Sequence, residues 1–147
     1  MILTDVNVLV HAFREEAQQH QVYADWLTGL INGTDELALH DPVLAGFVRV
    51  VTHPRVFAEP APASAALAFV SALREAAQAR WVPSGHQSWE VLGRFVAGDK
   101  AIRGNLTPDA HLAATAVAHG CRLATADRGF ARFPGLRWFD PATASTS

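Results

Sequence analysis

Ile2-Leu3-Thr4-Asp5-Val6-Asn7-Val8-Leu9-Val10 is the stretch whose reading decides the fold. A short apolar run ends in an acid, and a second apolar run leads away. In an open α/β sheet, ligand and catalytic groups collect beyond the carboxyl ends of the strands. Asp5 takes that place if Ile2 to Thr4 form a central strand. Asn7 follows where the chain turns toward a helix, so its amide reaches back toward Asp5 or bonds the backbone of the turn. Asp is also a good helix N-cap. From this stretch alone, Asp5 as a cap and Asp5 as a functional acid stand side by side.

Outward from it, short strands and helices alternate. Residues 6–14 read as a short helix and 15–32 as a longer one carrying Tyr23, Trp26, Leu27, Leu30 and Ile31 at helical spacing. Gly33 stops that helix and Leu37-Ala38-Leu39 forms a second strand. Asp41 caps and Pro42 opens the next helix, with Leu44, Phe47, Val48 and Val51 on one face until His53-Pro54 ends it. Pro60-Ala61-Pro62 is a loop, and from Ala63 an amphipathic helix carries Ala66, Phe69, Val70, Leu73 and Ala77. Trp81-Val82 is a strand, followed by a helix through Trp89, Leu92 and Val96 that closes near Gly98.

Thr107-Pro108-Asp109 repeats the cap-and-proline start, and Gly120 stops the helix it opens. Residues 122–125 form a strand running into Ala126-Asp127, before a short helix over 128–132 and a last strand over 136–139. The pattern predicts an α/β fold with a mainly parallel sheet covered on both faces. A single domain over residues 1–141 is expected, with 142–147 a frayed tail.

The composition narrows the class. With 147 residues, half of them apolar and 18% charged, the chain is long enough to bury a core and too ordered in character for a disordered segment. Cys121 is the only cysteine, so no internal disulfide forms and a reducing, cytoplasmic setting is expected. The net charge of −2 argues against gripping nucleic acid by bulk positive charge. A nucleic-acid enzyme remains allowed where carboxylates hold cations that attract phosphate.

Asp5 and Asp127 end strands and Asp109 begins a helix, so the fold pattern puts all three on one edge of the sheet. Asp109 also stands three and four residues before Leu112 and Ala113, on the core side of its helix. Two carboxylates about 4 Å apart repel by roughly 4 kcal/mol at an effective dielectric of 20, and a third adds more. No lysine or arginine lies immediately beside any two of them. A hard divalent cation such as Mg2+ or Mn2+ relieves that repulsion, and carboxylate-held Mg2+ suits hydrolysis of a phosphodiester.

Three segments then carry a resemblance: Asp5-Val6-Asn7, Asn105 to Ala114 at the opening of a late helix, and Ala124-Thr125-Ala126-Asp127-Arg128-Gly129-Phe130. In this order and spacing the chain resembles a PIN-domain ribonuclease, and within that family the VapC toxins of bacterial toxin–antitoxin pairs. Phe47 to Phe57 and Phe133 to Trp138 are similar to the mycobacterial branch. The resemblance implies a three-layer α/β/α domain that binds Mg2+ or Mn2+ and cuts a structured RNA, whether tRNA, rRNA or mRNA. It implies Asp5 and Asp109 as principal metal ligands, Asp127 as a further ligand or water-orienting acid, and Asn7 and Thr125 as their hydrogen-bonding neighbours. A VapB-type antitoxin is the implied partner, and a homodimer is expected.

One departure stands out. Many relatives carry a glutamate where this chain has Gly46, one residue before the hydrophobic-aliphatic-arginine run. Asp41 is the nearest substitute, though a cap before Pro42 is its simpler role. A weakly catalytic PIN domain that binds RNA or antitoxin without efficient cleavage is therefore the second reading. A haloacid-dehalogenase-like phosphatase fits less well, since it needs an acid where Asn7 stands.

Other groups read more plainly. His111 and His119 are too far apart along one helix to share a metal and read as surface residues. Glu36, Glu59 and Glu90 read as solvated. Asp99, Lys100, Arg103, Arg128 and Arg132, together with Arg49, are exposed charges or phosphate contacts. The four tryptophans read as core and interface residues.

Overall fold

The computed structural model describes residues 1–143. Five three-residue strands build the sheet: β1 (Ile2–Thr4), β2 (Leu37–Leu39), β3 (Ala79–Trp81), β4 (Arg122–Ala124) and β5 (Arg137–Phe139). Their order is β3-β2-β1-β4-β5 and every pairing is parallel. The opening stretch therefore supplies the central strand. β1 and β2 are buried along their whole length, as a strand flanked on both sides and covered on both faces must be. The edge strands β3 and β5 are half-buried to exposed.

The helices are α1 (Val6–Phe13), α2 (His20–Ile31), α3 (Asp41–Val51), α4 (Ala63–Arg74), α5 (His86–Gly98) and α6 (Thr107–Ala118). From β1 the chain steps outward to β2 and β3 through α1 to α4, then returns across the sheet to β4 through α5 and α6. Right-handed crossovers running in opposite directions place those two groups of helices on opposite faces. The packing agrees: α1 lies against α2 and α3, α3 against α4, and α5 against α6. The expected α/β/α arrangement is borne out. Among the described residues no helix is long and apolar enough to cross a membrane.

The direction of winding reverses at β1, so the carboxyl ends of β1 and β4 lie side by side at the switch point. Register pairs Thr4 with Ala124, which sets Asp5 beside Thr125. The small buried residues Ala110, Ala113, Ala114 and Ala116 let α6 approach its neighbours closely and bring Asp109, in its first turn, to the same edge. Full burial of Leu3, Val8, Leu9 and Leu123 around this junction stabilises it by about 1.5–3 kcal/mol per side chain.

Several local expectations are corrected. The second helix starts at His20, because residues 15–19 form the turn that folds α2 back onto α1. The 128–132 segment is a 3-10 helix. β3 ends one residue earlier than Trp81-Val82 suggests, and β5 begins at Arg137. Asp41 is not a cap: His40 is the N-cap of α3, without a side-chain capping bond, and Asp41 already lies in the first turn. Thr107 is likewise the first helical residue of α6, since a 3-10 turn over Gly104–Leu106 feeds straight into the helix and leaves no extended cap position. At the C-terminus, Ala142 N–H donates to the Asp140 carboxylate at 2.9 Å; the rest of the expected tail, 144–147, lies outside the described residues.

Candidate active site

Asp5 is the helix cap and also reaches the end of β4. As N-cap of α1 it accepts from Val6 N–H through Oδ1 at 2.7 Å. Its other oxygen, Oδ2, accepts from the Thr125 hydroxyl at 2.8 Å. Thr125 is fully buried, and its Oγ1 in turn accepts from Asp127 N–H at 3.0 Å. The Asp127 carboxylate caps the following 3-10 helix, accepting from Gly129 N–H at 2.7 Å. Asn7, in the first turn of α1, accepts from Ala126 N–H at 3.3 Å. Asn7 thus bonds the turn after β4 rather than its own. These bonds knit the ends of β1 and β4 into one unit.

Asp5, Asn7, Asp109 and Asp127 line one cleft of about 380 Å³, whose far wall includes His11 and Phe57. A smaller recess of about 110 Å³ runs inward from it, bordered by Asp5, Asp109, His40 and His111. No lysine or arginine lines either space among the described residues. The electrostatic consequence is largest at Asp109, whose carboxyl is pushed up from 3.8 to about 6 by burial, then by the negative charges of Asp5 and Asp127. Asp5 is also raised, chiefly by burial; its bonds from Thr125 and Val6 oppose the rise, and Asp127 adds to it.

An all-oxygen donor set of three acids, two of them with raised pKa and none with a cationic partner in the cleft, fits a hard divalent ion. Asp5 and Asp109, which border both the cleft and the recess, would be the carboxylates facing such an ion. Among the described residues no three acid, histidine or cysteine side chains are gathered closely enough to hold a metal ion by themselves, and Asp127 accepts from Gly129 N–H. Mg2+ keeps several waters and takes one or two carboxylates directly, so it does not require such a group of three.

Other candidates sort differently. Asp41 is exposed and borders a neighbouring cleft, lining neither of the two acid-bordered spaces. A Cβ on Gly46 would stand 3.1 Å from Val6 Cγ2, so the missing glutamate coincides with a close approach of α3 to α1. Arg132 is engaged by Asp99 at 3.0 Å, whereas Arg49, Lys100, Arg103 and Arg128 are exposed. His111 is not the surface residue its sequence position suggested; it is half-buried, stacked on His40 and bonded to Ser84 at 3.0 Å. Glu36 pairs with Arg80, and Glu90 with His86. Trp26 and Trp138 pack on the core, but Trp81 and Trp89 are mostly exposed, because they sit on the edge strand and on the outer side of α5.

Sequence reasoning missed His40 and His11. His40 is buried; its Nδ1–H donates to Val82 C=O at 2.7 Å, which leaves Nε2 unpartnered beside the acid recess. The signal was present: His40 follows β2 as Asp5 follows β1. His11 lies four residues after Asn7 and so on the same face of α1, stacked on Tyr23.

A parallel five-stranded sheet with paired acids at its switch point is the architecture of a nuclease-like α/β domain, and the chain belongs to the PIN-domain family, whose model matches residues 2–136. Within that family it is 44% identical to Ribonuclease VapC43 of Mycobacterium tuberculosis over 146 residues, 99% of each chain. Two solved structures share the fold. One is VapBC2 from Rickettsia felis bound to a promoter DNA fragment, with TM-score 0.67 and 19% identity over 95% of this chain and 98% of that one. The other is FitAcB from Neisseria gonorrhoeae, with TM-score 0.68 and 20% identity over 98% and 100%.

Proposed function

We propose that the chain is a Mg2+- or Mn2+-dependent endoribonuclease, acting in the cytoplasm as the toxin of a VapBC-type module. The observation that carries this is the gathering of Asp5, Asp109 and Asp127 on one cleft with no cation among its described lining; burial, then the charges of Asp5 and Asp127, push Asp109 up to about 6. High identity to a ribonuclease over the full length supports the substrate class. The structural likeness to VapBC2 supports a VapB-type antitoxin as partner, and a homodimer is part of the same proposal.

When bound, the ion neutralises the acids and the substrate phosphate and makes a water more acidic. Asp5 and Asp109 would hold the ion. Thr125 and Val6 N–H fix both oxygens of the Asp5 carboxylate, so that it does not rotate away. Asp127, tethered through Thr125 and Gly129, accepts a proton from or orients a water at the mouth of the cleft. Asn7 holds the turn that carries Asp127 in place.

The test is incubation of purified chain with total tRNA and rRNA in Mg2+ or Mn2+ against chelator, with the products end-mapped. Cleavage at defined sites in metal alone is expected; metal-independent cleavage overturns the reading. The second reading, a weakly catalytic PIN domain that binds RNA or antitoxin, is favoured by Gly46 and predicts binding without cleavage in the same assay.

A further inference from the structure

A second cleft, of about 440 Å³, adjoins the acid recess and shares His40 and Pro42 with it. Its outer wall is Trp81, 55% exposed at the end of the edge strand and in no ring-on-ring contact among the described residues. Asp41 stands at its rim. Because His40 takes the cap position of α3, the Asp41 carboxylate is left without a hydrogen bond or an ion pair among the described residues. Exposed Ser84 also lines the cleft and is tied to His111. The cleft thus offers one open aromatic face and one free carboxylate, a single buried imidazole away from the acids.

We propose that this cleft binds an unpaired guanine of the RNA substrate, next to the phosphodiester that is cut. The proposal rests on the ribonuclease reading above. Unstacked bases in single-stranded RNA are recognised by stacking on aromatic side chains and by hydrogen bonds to their Watson–Crick edges. Trp81 provides the stacking surface. A carboxylate only accepts, and guanine is the base that presents two adjacent N–H donors on that edge, N1–H and N2–H; cytosine and adenine present one amino group each. Asp41 repels phosphate, so the backbone stays toward the metal side while the base turns inward. A second copy of the chain is the alternative cover for Trp81, which with Asp41 also borders an adjoining cleft carrying Arg74; a guanine edge satisfies the Asp41 acceptors directly.

The experiment uses full-length protein in chelator, so that nothing is cut, and short oligouridylates carrying one central guanosine or one central adenosine. The guanosine form should bind more tightly and quench tryptophan fluorescence. Trp81→Ala should abolish that quench and Trp81→Phe should retain binding. Asp41→Asn should lower the preference for guanosine over adenosine by about tenfold, the size of one good bidentate base contact. Equal binding of the two oligonucleotides, or an unchanged preference in Asp41→Asn, overturns the proposal. So does a Trp81→Ala variant that changes mass on a sizing column while keeping the guanosine preference, since the face is then a protein interface. If the parent cuts RNA in Mg2+ but shows no guanosine preference, this inference alone falls. If the parent neither binds nor cuts any RNA, the ribonuclease reading falls with it.

Discussion

The hydroxyl of Thr125 donates to Oδ2 of Asp5 at 2.8 Å, across the junction of β4 and β1, while accepting from Asp127 N–H at 3.0 Å. One buried hydroxyl thus holds two acids of the cleft in fixed relation. Thr125→Val keeps the shape and deletes both bonds. It should cost about 1–3 kcal/mol of stability, because a buried carboxylate oxygen loses its donor. RNA cleavage should fall with it, and Thr125→Ser should recover most of both. Chemical denaturation together with the cleavage assay checks this.

Asp5→Asn and Asp109→Asn should each abolish cleavage while leaving the fold intact. Each removes ligand charge at nearly constant volume, and in Asp5→Asn the new amide oxygen can still accept from Val6 N–H and cap α1. Circular dichroism confirms folding, and Mg2+ titration by calorimetry should show lost affinity. Full activity in either variant removes that residue from the site. Asp127→Asn should impair cleavage strongly while still capping Gly129.

The raised carboxyl of Asp109 gives a pH dependence with a defined sign. Its folded pKa, about 6, lies above the ordinary 3.8, so between these values the unfolded chain releases its proton first. In chelator, stability should therefore fall from about pH 4 to about pH 6 and level off above it. Asp5 shifts in the same direction and contributes the same sign. Asp109→Asn should flatten the fall. Saturating Mg2+ should reverse it in the parent, adding about 2.7 kcal/mol at a hundredfold excess over the dissociation constant. Parallel curves for parent and variant, with equal stabilisation by Mg2+, would mean that these acids share no ion.

Gly46→Glu restores the acid carried by many relatives and should raise Mg2+ affinity. Its Cβ crowds Val6 Cγ2 at 3.1 Å, so the single variant should melt lower than Gly46→Glu combined with Val6→Ala. Equal metal affinity in parent and both variants would place Gly46 outside the site.

Asp41→Asn should change stability by about a few tenths of a kcal/mol at most, an effect of the α3 dipole on an exposed first-turn acid, and leave Mg2+ affinity unchanged. Lost metal affinity at an unchanged melting temperature would place Asp41 among the ligands.

The order of strands and helices was legible along the chain because hydrophobic period, glycine stops and proline starts are local properties. The placing of Asp5 and Asp127 after strands, and of Asp109 in the first turn of a helix, follows from those same local signals. What only the tertiary structure decided is what each group touches. That His40 displaces Asp41 as the cap of α3, and so leaves a carboxylate free, depends on where β2 ends against Val82. That Asn7 bonds Ala126, and that Thr125 joins Asp5 to Asp127, depends on a pairing between strands separated by more than a hundred residues. Trp81 and Trp89 carry the same apolar signature as Trp26 and Trp138, yet they face solvent, because exposure is set by what packs over the β3 edge and the outer side of α5 once the chain has folded. Hydrophobicity is written in each residue, whereas burial, charge proximity and pKa arise only when distant segments meet.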